Sequence, residues 1–341
     1  MTDIKRKSAP RDKRPFNRRD LLRQAGFLGA GAVGLGLAGC KQRPDDELVD
    51  PTSPPQVLQE GGTLSVAISG LLGGAVVGGA TMNVLGVGTT TVDSEGQLSV
   101  RFQRNGTYEV EFRAAKHFAR SGRVSIFGNS TLVVTMMESD AGVSQGFINE
   151  YARGAGSGKG IVVEPRTPGY TNRWTQPPTY RIYRRVPDSS KTVVPDSRID
   201  AMRSSILSIF PALTASTVGF PTVVVRDSLP PSLGDTRSGH ITVVQTDSVT
   251  EESEHTGLVS DPFAISRGRI SCALESTIEL FNKMVGHSTG AYGTSSGRSS
   301  IMSGGGRSAP SDRDVQAATF LYARAPGNSA PDRDQNDALL S

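Results

Sequence analysis

The chain is predicted to be α+β, with an N-terminal antiparallel β-sandwich ahead of a larger α+β domain. Three observations predict it. Residues 62–137 alternate apolar and polar positions with period two, and turn residues separate the runs. Residues 179–325 mix short strand-like runs with three stretches at helical spacing. Behind an N-terminal leader lie about 300 residues, which points to two domains rather than one.

The leader comes first. Asn17-Arg18-Arg19-Asp20-Leu21-Leu22-Arg23 precedes an apolar run that ends in Leu37-Ala38-Gly39-Cys40. Paired arginines before a weakly apolar Gly/Ala-rich segment resemble a twin-arginine export signal, and the small residues before Cys40 resemble a lipobox. The resemblance implies a lipoprotein exported already folded and tethered to a membrane through lipid on Cys40. The run Ala25–Gly39 is 15 residues and rich in Gly, whereas a spanning helix needs ~20 strongly apolar residues. Residues 1–40 are therefore expected to be a signal peptide, with Arg18 and Arg19 as its export signal, and the mature chain to reside in a bacterial cell envelope, facing the periplasm or the exterior. Lys41 follows the cysteine, so no Asp marks it for inner-membrane retention.

That leader also holds the basic charge. The chain carries 37 Lys/Arg against 33 Asp/Glu, a net +4, and residues 1–40 contribute nine Lys/Arg and three Asp. The remainder has 28 basic and 30 acidic residues, a net −2. No basic stripe is left to hold a phosphate backbone, which excludes a nucleic-acid partner. With Cys40 lipidated, only Cys272 remains, so no intramolecular disulfide is expected, and Cys272 reads as a buried inert thiol.

Residues 41–60 contain four prolines, several acidic residues and no apolar pattern, the composition of an extended linker. Residues 61–138 follow. Leu64, Val66 and Ile68 alternate with polar or small residues, as do Leu98, Val100 and Phe102, then Tyr108, Val110 and Phe112, and later Val124, Ile126, Leu132 and Val134. Asp93-Ser94-Glu95-Gly96, Asn105-Gly106 and Gly128-Asn129 supply turns. The order Gly79-Ala80-Thr81-Met82-Asn83-Val84, Thr89 to Gly96, Gly106 to Val110 and an aromatic at Phe118 resembles the transthyretin-like regulatory domain of carboxypeptidases. The resemblance implies a module without catalytic residues. His117 stands alone and reads as a surface or turn residue.

Residues 139–178 form a connector rich in Gly, Ser and Pro, with Trp174 as a packing anchor at the entrance to the next domain. Residues 179–326 open on the strand-like Tyr180-Arg181-Ile182-Tyr183. Ser197 with Asp200 reads as a capping box for a helix carrying Ile199, Met202, Ile206 and Ile209, ended by Pro211. Strands are predicted at 222–225 and 241–244. A second helix over 273–285 places Leu274, Ile278, Phe281 and Val285 on one face, with Gly286 closing it. A third starts at Ser311 and carries Val315, Ala318, Leu321 and Tyr322. Residues 327–341 read as a disordered tail.

This order, together with Val285-Gly286-His287-Ser288, Ser300-Ile301-Met302 and Ala309-Pro310-Ser311-Asp312-Arg313-Asp314 through Leu321-Tyr322, resembles a matrixin-type metzincin peptidase. The family's chemistry needs H-E-x-x-H-x-x-G-x-x-H, with three zinc-binding histidines and a glutamate base. Anchoring on His287 as the retained metal ligand and Met302 as the Met turn puts Thr277 and Phe281 in the other ligand positions. Ile278 takes the place of the base and Met284 that of the glycine. Glu275 and Glu279 do not match the ligand spacing, and Glu279 with Lys283 reads as an i,i+4 pair. His240 at a strand edge and His255 in an acidic loop suggest no ligand set, and no other catalytic set is present. The leading expectation is a lipid-anchored pseudopeptidase with a binding or scaffolding role, a peptide or protein ligand, no cofactor and no catalytic residues. The alternative is a zinc endopeptidase with a nonstandard site. A local frame shift around residues 270–286 would leave the same pattern.

A Cys40→Ala chain is expected to leave the membrane fraction or to accumulate unprocessed. Fractionation identical to the parent would remove the anchor.

Overall fold

The computed structural model describes residues 61–139, 142–154, 169–187, 192–232, 236–247, 252–257, 263–292, 300–304 and 306–334. The leader with Arg18, Arg19 and Cys40, and the linker over 41–60, lie outside the described residues. Among the described residues no helix is long and apolar enough to cross a membrane. The architecture is mixed α+β with three sheets.

The first seven strands, Gly88–Thr91 apart, follow the period-two pattern. They are β1 (Thr63–Gly70), β2 (Thr81–Val84), β3 (Gly88–Thr91), β4 (Gln97–Arg101), β5 (Gly106–Arg113), β6 (Arg120–Ile126) and β7 (Ser130–Met136). They form a three-stranded sheet ordered β4-β1-β7 and a four-stranded sheet ordered β3-β2-β5-β6. The alternate residues Leu64, Val66 and Ile68 of β1, Met82 of β2, Phe112 of β5 and Val134 of β7 meet in one core. Phe102 is 2% exposed there and its ring centroid lies 4.5 Å from that of Tyr108, whose hydroxyl donates to the Arg104 carbonyl. Turn chemistry sets the hairpins. Asp93 Oδ1 accepts from the Glu95 and Gln97 amides, and Gly96 takes φ +74, a conformation that glycine adopts without strain.

The pairing is not wholly antiparallel. After β6 the chain crosses to the other sheet and β7 lies parallel to β1, with Val66 opposite Leu132. Hydropathy alternation says which side of a strand is buried; it says nothing about the direction of its neighbour.

The stretch expected as a connector contains a helix, α1 (Gln145–Arg153), capped by Ser144. Phe147, Ile148, Tyr151 and Ala152 bury its apolar face in the second core. Trp174 is the expected packing anchor, donating from Nε1 to the Ser288 carbonyl at 2.7 Å. That core lies under a five-stranded sheet ordered β11-β12-β10-β8-β9. Its strands are β8 (Thr179–Tyr183), β9 (Thr222–Arg226), β10 (His240–Thr246), β11 (Glu252–Gly257) and β12 (Ile265–Ala273). All pairs are parallel except β11 with β12. His255, expected in a loop, lies within β11.

Two helices pack on this sheet, α2 (Asp196–Leu213) and α3 (Ile278–Ser288), and a third, α4 (Asp312–Ala323), packs on α1 and α2. The predicted capping box at Ser197 does not form. The cap position lies two residues earlier, at Pro195, whose fixed φ suits a helix entrance, and the helix has no side-chain cap. Pro211 does not stop α2 either; it sits in the last turn, which runs to Leu213 while the Pro211 carbonyl accepts from Thr214 and Ser216. α4 does carry its capping box, Ser311 with Asp314, but Val315 is exposed and Ala317 and Phe320 fill the buried face instead.

The expected disordered tail over 327–341 is also corrected for its first eight residues. Asn328, Asp332 and Asp334 are buried. Arg324 donates from Nε and Nη2 to Asp332 at 2.8 Å each, and Arg120 of β6 pairs with Asp334 at 3.2 Å. Asn328 Nδ2 bridges both aspartates, and Arg153 Nη2 donates to Asn328 Oδ1. These polar residues carry no hydropathy signal, so a reading by hydropathy assigned them to solvent.

Truncating Phe102 to Ala is expected to cost ~3–5 kcal/mol in denaturant unfolding. A loss well under 1 kcal/mol would place Phe102 outside the core and break the β4 register.

Candidate functional site

The site that the sequence singles out is α3 with the segment around Met302. β12 extends to Ala273, so α3 starts at Ile278, five residues later than the predicted helix, and continues past Gly286 to Ser288. Gly286 is no terminator. A Cβ there would lie 2.4 Å from Met302 Sδ and 3.3 Å from Leu213 Cδ1. Glycine at this position lets Met302 and α2 close onto the helix.

The shifted start decides what Thr277 does. It is the N-cap of α3, and its hydroxyl oxygen accepts from the Leu280 amide at 3.3 Å. Ile278 is the first helical residue. Phe281 is fully buried in the core with Met284 and Val285. His287, 1% exposed, has its Nδ1 3.1 Å from the Ala291 carbonyl, so that nitrogen carries the proton and donates. Glu275 is exposed ahead of the helix. Lys283, the expected partner of Glu279, donates from Nζ to the Gly304 carbonyl at 2.8 Å. His117 Nδ1 lies 2.8 Å from the Ala115 carbonyl, as suits a turn residue. His240 heads the central strand β10. Among the described residues no cluster of three or more His, Cys, Asp or Glu could hold a metal. Cys272 is a buried thiol in β12.

Met302 is 1% exposed, and its turn hangs on one carboxylate. Asp314, fully buried, accepts from Ser300 Oγ at 2.5 Å, the Ile301 amide at 2.9 Å and the Ser311 amide and hydroxyl at 2.8 and 2.7 Å. The capping carboxylate of α4 therefore also fixes the turn that supports α3. Asn282 Nδ2 ties the following segment down by donating to the Arg307 and Ser308 carbonyls. Around the C-terminal end of α3, Tyr180 donates to Ser288 Oγ, which donates on to the Val285 carbonyl, and Tyr322 donates to the Thr289 carbonyl. Burial pushes the Tyr180 and Tyr151 phenols well above the usual tyrosine range, and Asp314 adds to the shift at Tyr151. Neither phenol ionises at neutral pH.

Sequence reasoning missed the dual role of Asp314. A capping box was legible, but its carboxylate has acceptor capacity left over, and only the fold brings Ser300 and Ile301 to it.

No family model and no curated protein matches the chain. Among solved structures it is similar to a chain of a type II cohesin–X-dockerin complex from Acetivibrio cellulolyticus, 24% identical over 24% of this chain and 60% of that one, with a TM-score of 0.22. It is also similar to the Bacillus anthracis TIE protein, 17% identical over 23% of this chain and 17% of that one, with a TM-score of 0.20. The chain thus covers less than two thirds of either, and likeness of this size assigns neither fold nor activity.

Asp314→Ala leaves the Ser300 hydroxyl and the Ile301 amide without their acceptor, and each such buried donor costs ~1–3 kcal/mol. The variant is expected to show a clearly lowered thermal midpoint; an unchanged midpoint would remove Asp314 as the tie between the Met302 turn and α4.

Proposed function

We propose that the chain is a matrixin-like pseudopeptidase, exported through Arg18 and Arg19, tethered by lipid on Cys40, and preceded in its mature form by a transthyretin-like module. Its role in the cell envelope is to bind or scaffold a peptide or protein ligand rather than to cleave it. The order of elements supports the matrixin-like part: a strand, a long helix, further strands, α3, the Met302 turn and the closing helix α4. Two sheets over one core, β1 to β7, support the transthyretin-like part.

The observation that carries the non-catalytic reading is Phe281. It sits where the second ligand would be, fully buried, and offers packing surface instead of a lone pair. Thr277, at the first ligand position, already uses its oxygen as a helix cap. The donor set therefore does not fit the family's zinc ion, for which His287 alone is retained. Ile278 cannot take a proton from water, so the position of the general base is chemically inert.

The purified full-length chain is expected to hold well under one zinc per chain after dialysis and to show no chelator-sensitive cleavage of an unfolded protein substrate. One tightly held zinc per chain, with cleavage lost in a folded His287→Ala variant, would overturn the reading in favour of a zinc endopeptidase with a nonstandard site.

A further inference from the structure

The two ends of the β-sandwich meet different surroundings. At one end β1 and β7 finish and β5 turns into β6. There Leu71, Leu72 and Phe118 pack against the second core, and Met137 belongs to it. At the other end the chain enters at Gly61, beside the β4–β5 connection over residues 102–105 and the β6–β7 turn over 127–129. The β2–β3 turn over 85–87 lies at the same end, level with Glu109 of β5.

Hydrogen bonds fix this second end. The Gly61 amide donates to the Gln103 carbonyl at 3.2 Å, the Thr63 amide to Asn129 Oδ1 at 3.0 Å and the Gly128 amide to Asn105 Oδ1 at 3.2 Å. Gly128 takes φ +81, which lets the chain turn directly after Phe127. Phe127 is left 69% exposed, and Leu85 and Val87 stand out from the β2–β3 turn at 70% and 50%. A single exposed apolar residue is ordinary. Three large ones on the turns of one end make an apolar surface that neither core has taken up.

The charge here runs against that of the rest of the chain. Residues 85–87, 101–105 and 127–129 include two arginines, Arg101 and Arg104, both exposed, and no Asp or Glu. Glu109, three residues in from the start of β5, faces Arg333 at 3.9 Å. Beyond residue 40 the chain has 28 basic and 30 acidic residues, a net −2, so apolar turns flanked by arginine are a local feature. Such a combination suits a lipid interface, where an aromatic ring sits at headgroup level and guanidiniums meet lipid phosphates.

We infer that this end of the sandwich docks on a bilayer containing anionic lipid. Phe127 enters the interface with Leu85 and Val87 as a second apolar contact, and Arg101 and Arg104 meet headgroup phosphates. The inference rests on the lipidation of Cys40. The 20 residues 41–60 join that anchor to Gly61, a span of at most about 70 Å. The end that carries Gly61 is therefore the one the anchor brings to the lipid with the least extension of the chain. A tether raises the effective concentration of the surface it delivers, so contacts too weak to hold the protein alone suffice. The α+β domain, packed on the opposite end, is then held away from the bilayer.

The test couples the purified full-length chain through the Cys40 thiol to a maleimide-bearing lipid in vesicles of phosphatidylcholine and phosphatidylglycerol with brominated acyl chains. Cys272 is buried and does not compete for the maleimide. Docking is read in this way whatever Cys40 carries in the cell, which the Cys40→Ala fractionation decides separately. Phe127→Trp supplies the probe. The native Trp174, 2% exposed, is the background, and Phe220→Trp, at a position 71% exposed ahead of β9, is the control. Quenching by bromine and a blue shift of the emission are expected for Phe127→Trp and not for Phe220→Trp. Adding Arg101→Gln and Arg104→Gln to the Phe127→Trp chain should lower the quenching toward that on phosphatidylcholine alone. Quenching of Phe220→Trp equal to or above that of Phe127→Trp overturns the inference, as does quenching unchanged in the folded arginine variant.

Discussion

One buried ionic cluster holds the two cores of the described molecule to each other. Arg324 and Asp332 are both 0% exposed in their side chains and make a bidentate pair. Removing charges from water carries a heavy desolvation cost, repaid only when every remaining donor and acceptor finds a partner. Here most do. Arg324 also reaches the Thr135 carbonyl and hydroxyl on β7, Arg120 reaches the same carbonyl from β6, and Asn328 spans both aspartates. Three guanidiniums face two carboxylates, and the Phe320 ring compensates part of the excess: Arg153 and Arg324 each lie 5.0 Å from its centroid. Burial, opposed by Asp332 and reinforced by Arg324, still draws the Arg153 pKa down to about 10. Such a cluster gives one arrangement of the two parts rather than a greasy surface that could slide.

The same economy of polar groups governs α3. Its inner face is given to the core: Phe281 fills it, Thr277 caps the start of the helix, and Gly286 admits Met302 against the backbone. A buried aromatic and a close sulfur–backbone approach make this helix a structural element with its own stability, independent of any ion.

What the sequence disclosed and what it concealed divide along one physical line. Apolar alternation in β1, β4, β5 and β7 and the Ser311 cap were legible because local pattern and final environment agree. The helix α1 was obscured by the Gly-rich and Pro-rich composition around it, although Phe147, Ile148 and Tyr151 have helical spacing. Asn328, Asp332 and Asp334 were illegible because their burial depends on arginines from β6, α1 and the end of α4. The parallel run of β7 beside β1 leaves no trace in either strand's composition. In the candidate site the environment of Phe281 was readable from its helical spacing with Val285, whereas the basic face of the five-stranded sheet was not: Arg181 is far in sequence from Arg267 and Arg269, and only register aligns them.

The position of the cluster along the chain sets a timetable for assembly. Arg120 and Asp334 are 214 residues apart, and a loop that long is closed only after the segments within it have lost most of their freedom, since the entropic cost grows with its length. The β1 to β7 core can form while synthesis continues, but its docking waits for residues 332–334 to leave the ribosome. Until then the Arg120 and Arg324 guanidiniums lack their carboxylate partners. In a chain of this design the docking of the two cores is completed by one polar turn over residues 328–334 rather than by either core itself.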